Sequence, residues 1–297
     1  QPHPGCQQCA QRWRHRRRRA GAPGDVKAVR QIADARGLFL LEDCAQCAGG
    51  SVNGRKVGTF GELAIFSFQM NKNMTAGEGG CVVTNDRELY RKAFACHDLG
   101  YPRDEQGRLV FDEPQMRLWG KGYRLDELRA ALLRVQLNKL PATIAAMRRS
   151  KYRIRQAIEQ FPQVRLRRIQ DPAGDTGCFL ITTYSDPDTA RRVNEALRAE
   201  GIVTYPQGVS NVLMTQWGLH IYYNNASLVA HAGVDGRGFP WTLAENAGLA
   251  RDYAKGACPA ADSLFERSIL IAIPSCLTQP DEDDIIRAFQ KVLGALL

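Results

Sequence analysis

An α/β unit followed by a smaller α+β unit is the architecture that this 297-residue sequence predicts. Two short apolar runs, Gly37-Leu38-Phe39-Leu40-Leu41-Glu42-Asp43 and Leu63-Ala64-Ile65-Phe66-Ser67-Phe68, read as parallel strands buried on both faces. The first follows a stretch with Val26, Val29, Ile32 and Ala33 at helical spacing, so the order is helix, strand, loop, strand. A long helical pattern then separates this part from a stretch of shorter strand and helix signals.

Residues 1–20 show no helical or strand periodicity and are read as an unpatterned basic extension, disordered or foreign to the rest of the chain. Residues 21–140 are read as a partial large unit. After Asp43 and the strand ending near Phe68 comes a glycine-rich turn, Gly77-Glu78-Gly79-Gly80. The stretch Gly80-Cys81-Val82-Val83-Thr84 predicts a strand leaving that turn, and Arg87 to Ala95 a helix. Asp126 to Leu140 carries Leu128, Ala131, Leu132, Val135 and Leu140, which predicts a buried helix continuing past Pro141 through Ile158. Residues 141–297 are read as a connecting helix and a small α+β unit. Its signals are a strand over Gly177 to Thr182, a helix over Pro187 to Glu200, a strand over Ile269 to Ile273 and a helix over Asp281 to Leu293. Gly233 to Gly238 is the clearest loop.

Composition narrows the function classes. An apolar fraction of 44% suits a globular chain with a sizeable core. The formal charge of +9 is misleading until it is located, because Arg12, Arg14, Arg16, Arg17, Arg18 and Arg19 precede the first acid, Asp25. The remaining basic residues nearly balance the 31 acids. An arginine run can bind nucleic acid, but no aromatic platform or reading motif accompanies it, so a solvated basic tail is expected and nucleic acid is not an expected partner. There is no apolar h-region and no run near the roughly 20 residues of a membrane span, so a cytoplasmic protein is expected. The nine cysteines are odd in number and scattered, which predicts reduced thiols rather than a disulfide framework. Cys6-x-x-Cys9 and Cys44-x-x-Cys47 have zinc spacing, yet no metal is expected, since one pair lies in the basic tail and the other brackets Ala45 and Gln46. His97 is read as a polar rim or surface residue.

Chemistry concentrates between the two apolar strands. Asp43 ends the first, and Lys72 follows the second within Gln69-Met70-Asn71-Lys72-Asn73. Ligands of open α/β sheets bind at the carboxyl ends of the strands, so both residues fall on one rim. A lysine fixed there can form an imine with an aldehyde, and a carboxylate can keep a pyridine nitrogen protonated. Together they predict a pyridoxal 5'-phosphate enzyme. Gln46 is within reach of the cofactor's ring hydroxyl oxygen and Ser67 of its phosphate.

At these residues the chain resembles the DegT/DnrJ/StrS sugar aminotransferases of the fold-type I pyridoxal phosphate superfamily. The resemblance rests on Glu42-Asp43-Cys44-Ala45-Gln46, Gly58-Thr59-Phe60-Gly61, Phe66 through Gly80, Gly120-Lys121-Gly122-Tyr123-Arg124-Leu125-Asp126-Glu127-Leu128-Arg129-Ala130-Ala131 with Gln136-Leu137, Cys258-Pro259, and Ile271-Ala272-Ile273-Pro274. It covers roughly residues 21 to 297 and implies a fold-type I aminotransferase-like architecture with an incomplete large domain. It further implies that Lys72 is the imine-forming lysine and proton carrier, that Asp43 pairs with the pyridine nitrogen, that Gln46 touches the ring hydroxyl and that Ser67 touches the phosphate. Sugar dehydratases of similar sequence carry histidine at the lysine position, so Lys72 points to transamination. The implied amino donor is glutamate or glutamine, and the acceptor a keto-sugar nucleotide or keto-cyclitol of an antibiotic or polysaccharide pathway. The region after Trp217, with Tyr222 and Tyr223, has the same resemblance. A homodimer is implied.

Two departures set further expectations. Gly122 stands where the family has an asparagine that reaches the neighbouring subunit's cofactor phosphate. Members also begin well over a hundred residues before the Asp43 strand, with a phosphate-cradling helix N-terminus and a ring stacked on the pyridine. The expectation is an amino-terminally truncated member with impaired catalysis. The alternative is a non-catalytic remnant or partner subunit of such an enzyme.

Overall fold

The computed structural model describes residues 21–203, 210–233, 236–246, 248 and 251–297, with backbone alone for 13–17 and 245. The chain divides into two units, one comprising residues up to Arg149 together with Ile169–Cys178, the other Ser150–Arg168 and Phe179–Leu297.

In the first unit, β1 (Trp13–Arg17), β2 (Phe39–Asp43), β5 (Leu63–Ser67) and β6 (Gly80–Val83) form a sheet in the order β1-β2-β5-β6. The first three are parallel and β6 returns antiparallel. Helix α1 (Val26–Ala35) leads into β2, opened by Asp25, whose carboxylate accepts the Ala28 N–H at 2.9 Å. Val26 and Ala33 of α1 pack on Leu40, Val52 and Phe60. A two-stranded hairpin, β3 (Ser51–Val52) and β4 (Arg55–Lys56), turns at Asn53-Gly54 with both residues at positive φ. Helix α2 (Arg87–His97) follows β6, capped by the Asp86 carboxylate on the Leu89 N–H.

Helix α3 (Glu127–Ile158) contains Pro141 and runs on past it, as the periodicity predicts. The second unit holds an antiparallel sheet, ordered β7 (Arg165–Leu166), β8 (Phe179–Thr183), β10 (Ser268–Ala272) and β9 (Asn211–Leu213). Two helices, α4 (Pro187–Ala199) and α7 (Gln279–Leu296), join Ile154 and Ile158 of α3 and the sheet in one core that includes Leu180, Val193, Ile269, Ile271, Phe289 and Leu293. Between β9 and β10 lie α5 (Ala226–Val229) and α6 (Pro259–Glu266). Part of the Gly233 to Gly238 loop lies outside the described residues.

Several expectations change. Residues 13–17, read as patternless, form the parallel neighbour of β2, with Arg17 opposite Asp43. Ladder bonds join backbone to backbone, so a strand beside a paired neighbour needs no side-chain alternation. Residues 1–12 and 18–20 of the extension lie outside the described residues. The division expected at residue 140 falls nine residues later, within α3 at Arg149 and Ser150. Packing explains this: Ile144 and Leu140 sit against Gly49, and the Arg148 Nε donates to the Asp175 carbonyl at 2.8 Å. The strand β2 is not buried on both faces, since Leu40 and Glu42 are buried while Phe39, Leu41 and Asp43 are half-buried. Nor is the start of α3 buried: Leu128 is 84% exposed and Leu132 and Val135 about half exposed, whereas Leu133 and Leu140 are buried. An apolar stripe signals a face that can be buried, and these described residues leave its first turns open. Among the described residues no helix is long and apolar enough to cross a membrane.

Candidate active site

The parallel pairing of β2 with β5 decides where the predicted residues go. Asp43 pairs with Ile65, so the carboxyl end of β2 lies level with the last residues of β5, and Ser67 stands two residues further along that rim. Asp43 is half-buried, and its Oδ1 accepts the Ala45 N–H at 3.1 Å. This local turn fixes the direction of the carboxylate. The turn is completed by the Cys47 N–H donating to the Cys44 carbonyl at 2.9 Å, with Gln46 half-buried inside it. Beyond Asp43 the Cys44 N–H donates to the Ile65 carbonyl, so the ladder carries on past the site carboxylate.

The lysine lies in the loop between β5 and β6. Since those strands are antiparallel, the loop must turn back at the same rim. It does so with several backbone ties. Phe68 N–H donates to the Gly79 carbonyl at 2.8 Å, Ala76 N–H to the Phe68 carbonyl at 3.0 Å, and the Thr75 hydroxyl to that carbonyl at 3.1 Å. Gln69 organises the inner part: its carbonyl accepts the Lys72 N–H at 3.0 Å and its side-chain oxygen the Asn71 N–H at 2.9 Å. Its own N–H donates to the Ser67 Oγ at 3.3 Å. Ser67, Gln69 and half-buried Lys72 are thus successive members of one turn. Gly77 and Gly79, at φ of +81° and +146°, allow the loop to reverse where a side chain would strain it.

The structure therefore brings Asp43, Gln46, Ser67 and Lys72 to one rim. Asp43 and Gln46 belong to the β2 end, Ser67 and Lys72 to the β5 end. The set contains a carboxylate, an amide, a hydroxyl and an amine, which are the donors and acceptors that a pyridinium, a phenolic oxygen, a phosphate and an aldehyde require. The residues present fit the cofactor inferred from sequence. A separate groove of about 400 Å³, lined by Lys27, Arg30, Arg55 and Phe60 among others, lies on the α1 side and includes none of these four.

Three residues that sequence reasoning passed over also shape the region. Gln69 closes the lysine turn. Glu42 is 1% exposed beside Asp43 and binds the Gly58–Gly61 turn. Asp98, 3% exposed at the end of α2, accepts hydrogen bonds from Arg103 and Arg124. Those arginines hold its carboxyl below the usual range, the Arg103 bond contributing most. A carboxylate inside an apolar strand, close in sequence to Gly-x-x-Gly, was the available signal for Glu42. His97, read as a rim or surface residue, is half-buried, with Nδ1 within 2.6 Å of the Phe94 carbonyl. Among the described residues no group of three or more histidine, cysteine or acidic side chains could hold a metal ion.

Comparison with known proteins bears on what this rim does. The sequence profile of the DegT/DnrJ/EryC1/StrS aminotransferase family matches residues 18–216. A dTDP-3-amino-3,4,6-trideoxy-alpha-D-glucose transaminase of Micromonospora megalomicea is 30% identical over 92% of this chain and 63% of its own length. An L-glutamine:2-deoxy-scyllo-inosose aminotransferase of Streptoalloteichus tenebrarius is 41% identical over 43% of this chain and 31% of its own. The chain thus spans less than two thirds of either relative. Among solved structures, an aminotransferase from Psychrobacter cryohalolentis superposes with a TM-score of 0.71 at 23% identity, covering 95% of this chain and 68% of that one. At that identity the likeness speaks to the fold, which is that of the fold-type I aminotransferases.

Proposed function

We propose that this chain, which belongs to the DegT/DnrJ/EryC1/StrS aminotransferase family, acts as a pyridoxal 5'-phosphate-dependent aminotransferase. The amino group moves from glutamate or glutamine to a keto-sugar nucleotide or a keto-cyclitol. The observation that carries this reading is the shared rim: an acid ends β2, and a hydroxyl and a lysine lie in the turn leaving its parallel neighbour β5. The two relatives, named for a nucleotide-sugar product and a glutamine-dependent cyclitol reaction, support the substrate classes.

When bound, the cofactor supplies an electron sink for the substrate carbon. Asp43 would hold the proton on the pyridine nitrogen, its own direction set by the Ala45 N–H. Gln46 would donate its amide to the ring hydroxyl oxygen, and Ser67 its hydroxyl to the phosphate. Lys72 would hold the aldehyde carbon through Nζ with loss of water, and once the donor's amine has displaced it the freed Nζ would carry a proton between the cofactor C4′ and the substrate carbon. The ties from Phe68 to Gly79 and Ala76 hold the lysine loop to the rim, which restricts the volume that Nζ samples. A cytoplasmic homodimer is part of the proposal. The exposed stripe of Leu128, Leu132 and Val135 supports the dimer.

The test is chemical labelling. The protein is incubated with pyridoxal 5'-phosphate, reduced with borohydride and digested, and the labelled peptide is identified by mass spectrometry. The expected label is on Lys72. Amine transfer from glutamate or glutamine to a panel of keto-sugars and keto-cyclitols is measured in parallel, and Asp43→Ala should remove it while leaving the fold. A label confined to another lysine sinks the assignment. No label and no transfer would leave the non-catalytic reading standing.

A further inference from the structure

Glu42 is the residue before Asp43 in β2, and its carboxylate closes on three backbone N–H groups of a single turn. Oε1 accepts from Phe60 at 2.5 Å and from Gly61 at 2.7 Å, and Oε2 accepts from Gly58 at 3.0 Å. Two glycines let the turn come this close. Gly58 has φ of +87° and Gly61 lies so near β2 that a Cβ there would be 2.3 Å from the Leu40 carbonyl oxygen. The two sequence motifs Glu42-Asp43-Cys44-Ala45-Gln46 and Gly58-Thr59-Phe60-Gly61 are therefore halves of one device.

These bonds supply partners that a buried carboxylate needs. Charge-assisted hydrogen bonds are about twice as strong as neutral ones, and three of them converge on one strand position. Successive strand residues point to opposite faces, so an anchor on the Glu42 face holds the backbone from which Asp43 projects on the other. Immediately downstream, Cys44 N–H bonds the Ile65 carbonyl at 2.9 Å and Ala45 N–H bonds the Asp43 Oδ1 at 3.1 Å. Asp43 is thus flanked by a fixed residue on each side, and its carboxylate is steered by a third contact.

We propose that Glu42 is a positioning residue: it clamps the end of β2 to the Gly58–Gly61 turn and thereby sets the place and direction of the Asp43 carboxylate. The proposal rests on the aminotransferase reading for the purpose of that carboxylate, but the clamp itself can be measured without cofactor.

Glu42→Gln is the informative change, because it keeps the shape while presenting an NH2 group to N–H donors. The comparison variant is Glu62→Gln. Glu62 Oε2 accepts the Leu40 N–H at 2.7 Å, and its carboxylate pairs with Arg30 at 2.8 Å, so it braces the opposite end of the same strand. Hydrogen exchange of individual amides, thermal melting and the pH dependence of the bound cofactor's visible absorbance are recorded for all three proteins. Glu42→Gln is expected to speed exchange at Ala45 about tenfold beyond what global unfolding accounts for. It is also expected to move the absorbance midpoint by about half a pH unit, since the pyridine nitrogen's partner has shifted. Glu62→Gln should lower the melting temperature and move neither readout. Glu42→Asp, which keeps the charge but cannot reach all three amides, is the second variant should Glu42→Gln fail to fold, with the same two readouts expected. Unchanged Ala45 exchange and an unchanged midpoint in a folded but destabilised Glu42 variant would overturn the proposal, leaving Glu42 a structural carboxylate only. A chain that takes no borohydride label at Lys72 refutes the aminotransferase reading, while Ala45 exchange still decides the clamp.

Discussion

Removing the Asp98 carboxylate should release the segment that follows α2 without dissolving the helix. Asp98 caps α2, with its N–H donating to the Phe94 carbonyl at 3.1 Å and its own carbonyl accepting the Gly122 N–H at 3.2 Å. Asp98→Ala leaves those backbone bonds intact. What it removes is the acceptor for Arg103, whose Nη2 and Nε lie 2.8 and 3.2 Å from Oδ2, and for Arg124 on Oδ1. Breaking a buried ion pair typically costs about 3–5 kcal/mol, most of it from the charge left behind. Here the charges left behind are arginines whose side chains are 33% and 56% exposed, so they recover water. The loss should therefore be nearer 2 kcal/mol, which shifts the melting of a unit this size by roughly 4–8 °C. Urea and thermal unfolding followed by circular dichroism measure it, and limited trypsin cleavage after Arg103, Arg108, Arg117 and Arg124 reports the segment directly. Cleavage there should accelerate while α2 and α3 stay protected. A melting temperature unchanged within about 1 °C, with the wild-type tryptic pattern, would refute the hub reasoning.

The same carboxylate gives a pH signature with a definite sign. Its folded pKa is depressed, chiefly by the Arg103 hydrogen bond and then by Arg124, against the opposing effect of burial. A depressed carboxylate stabilises fully above its unfolded pKa of about 3.9 and loses that contribution as pH falls through the folded value. The gap between wild type and Asp98→Ala should be full at neutral pH and narrow below about pH 4. A gap independent of pH down to about 2 would show that packing, not charge, is what the substitution removes.

Two further outcomes concern other parts of the first unit. Gly61→Ala places a methyl group 2.3 Å from the Leu40 carbonyl oxygen, a backbone atom that cannot swing away, so it should cost about 2–3 kcal/mol and reduce soluble yield, read by urea denaturation; Gly54→Ala, with open space around it but positive φ, should cost only about 1 kcal/mol. Leu132→Glu, together with Leu128→Glu on the same face of α3, should leave unfolding nearly unchanged yet convert the proposed dimer to monomer in light scattering, and a dimer that persists would remove α3 from the interface.

The elements that position the site were readable because each has a strong local signature. Two apolar runs ended at Asp43 and just past Ser67, and a glycine turn followed Lys72, so the rim could be named before any pairing was known. Features that depend on distant pairing were not readable. Glu42 acquires its partners 16 to 19 residues later in the chain, so its place inside an apolar strand signals a buried charge without naming the amides that hold it. Trp13–Arg17 has no alternation, and its backbone pairing with β2 has no counterpart in the local sequence pattern. The first turns of α3 show the opposite error, in which a true apolar stripe predicts burial that these described residues do not provide. The hairpin β3–β4 carries a turn signal in Asn53-Gly54, but flanking strands of two residues each are too short to show alternation.

The sheet's mixed direction carries the functional argument one step further. Had β6 been parallel to β5, the connection between them would have had to cross to the opposite edge, and a lysine within it could lie anywhere along that path. Because β6 is antiparallel, with Ser67 opposite Gly80, the whole of residues 68–79 must leave and re-enter at the rim where Asp43 ends. The ties of Phe68 to Gly79, Thr75 and Ala76 then hold the loop's base, and the Gln69 carbonyl draws the Lys72 backbone back toward Ser67. On the other side of the rim, Asp43 is steered by Ala45 and backed by the Glu42 clamp. In the proposed reaction, a proton-carrying amine and a charge-holding acid would serve one cofactor only if both are held to within a fraction of an ångström of a common frame. Here the frame is the β2–β5 ladder itself, and each side chain is tied to it through a short stretch of local chain. Substitutions that loosen this frame should therefore lower turnover before they lower cofactor occupancy, because occupancy can draw on several contacts whereas proton transfer depends on the relation between two.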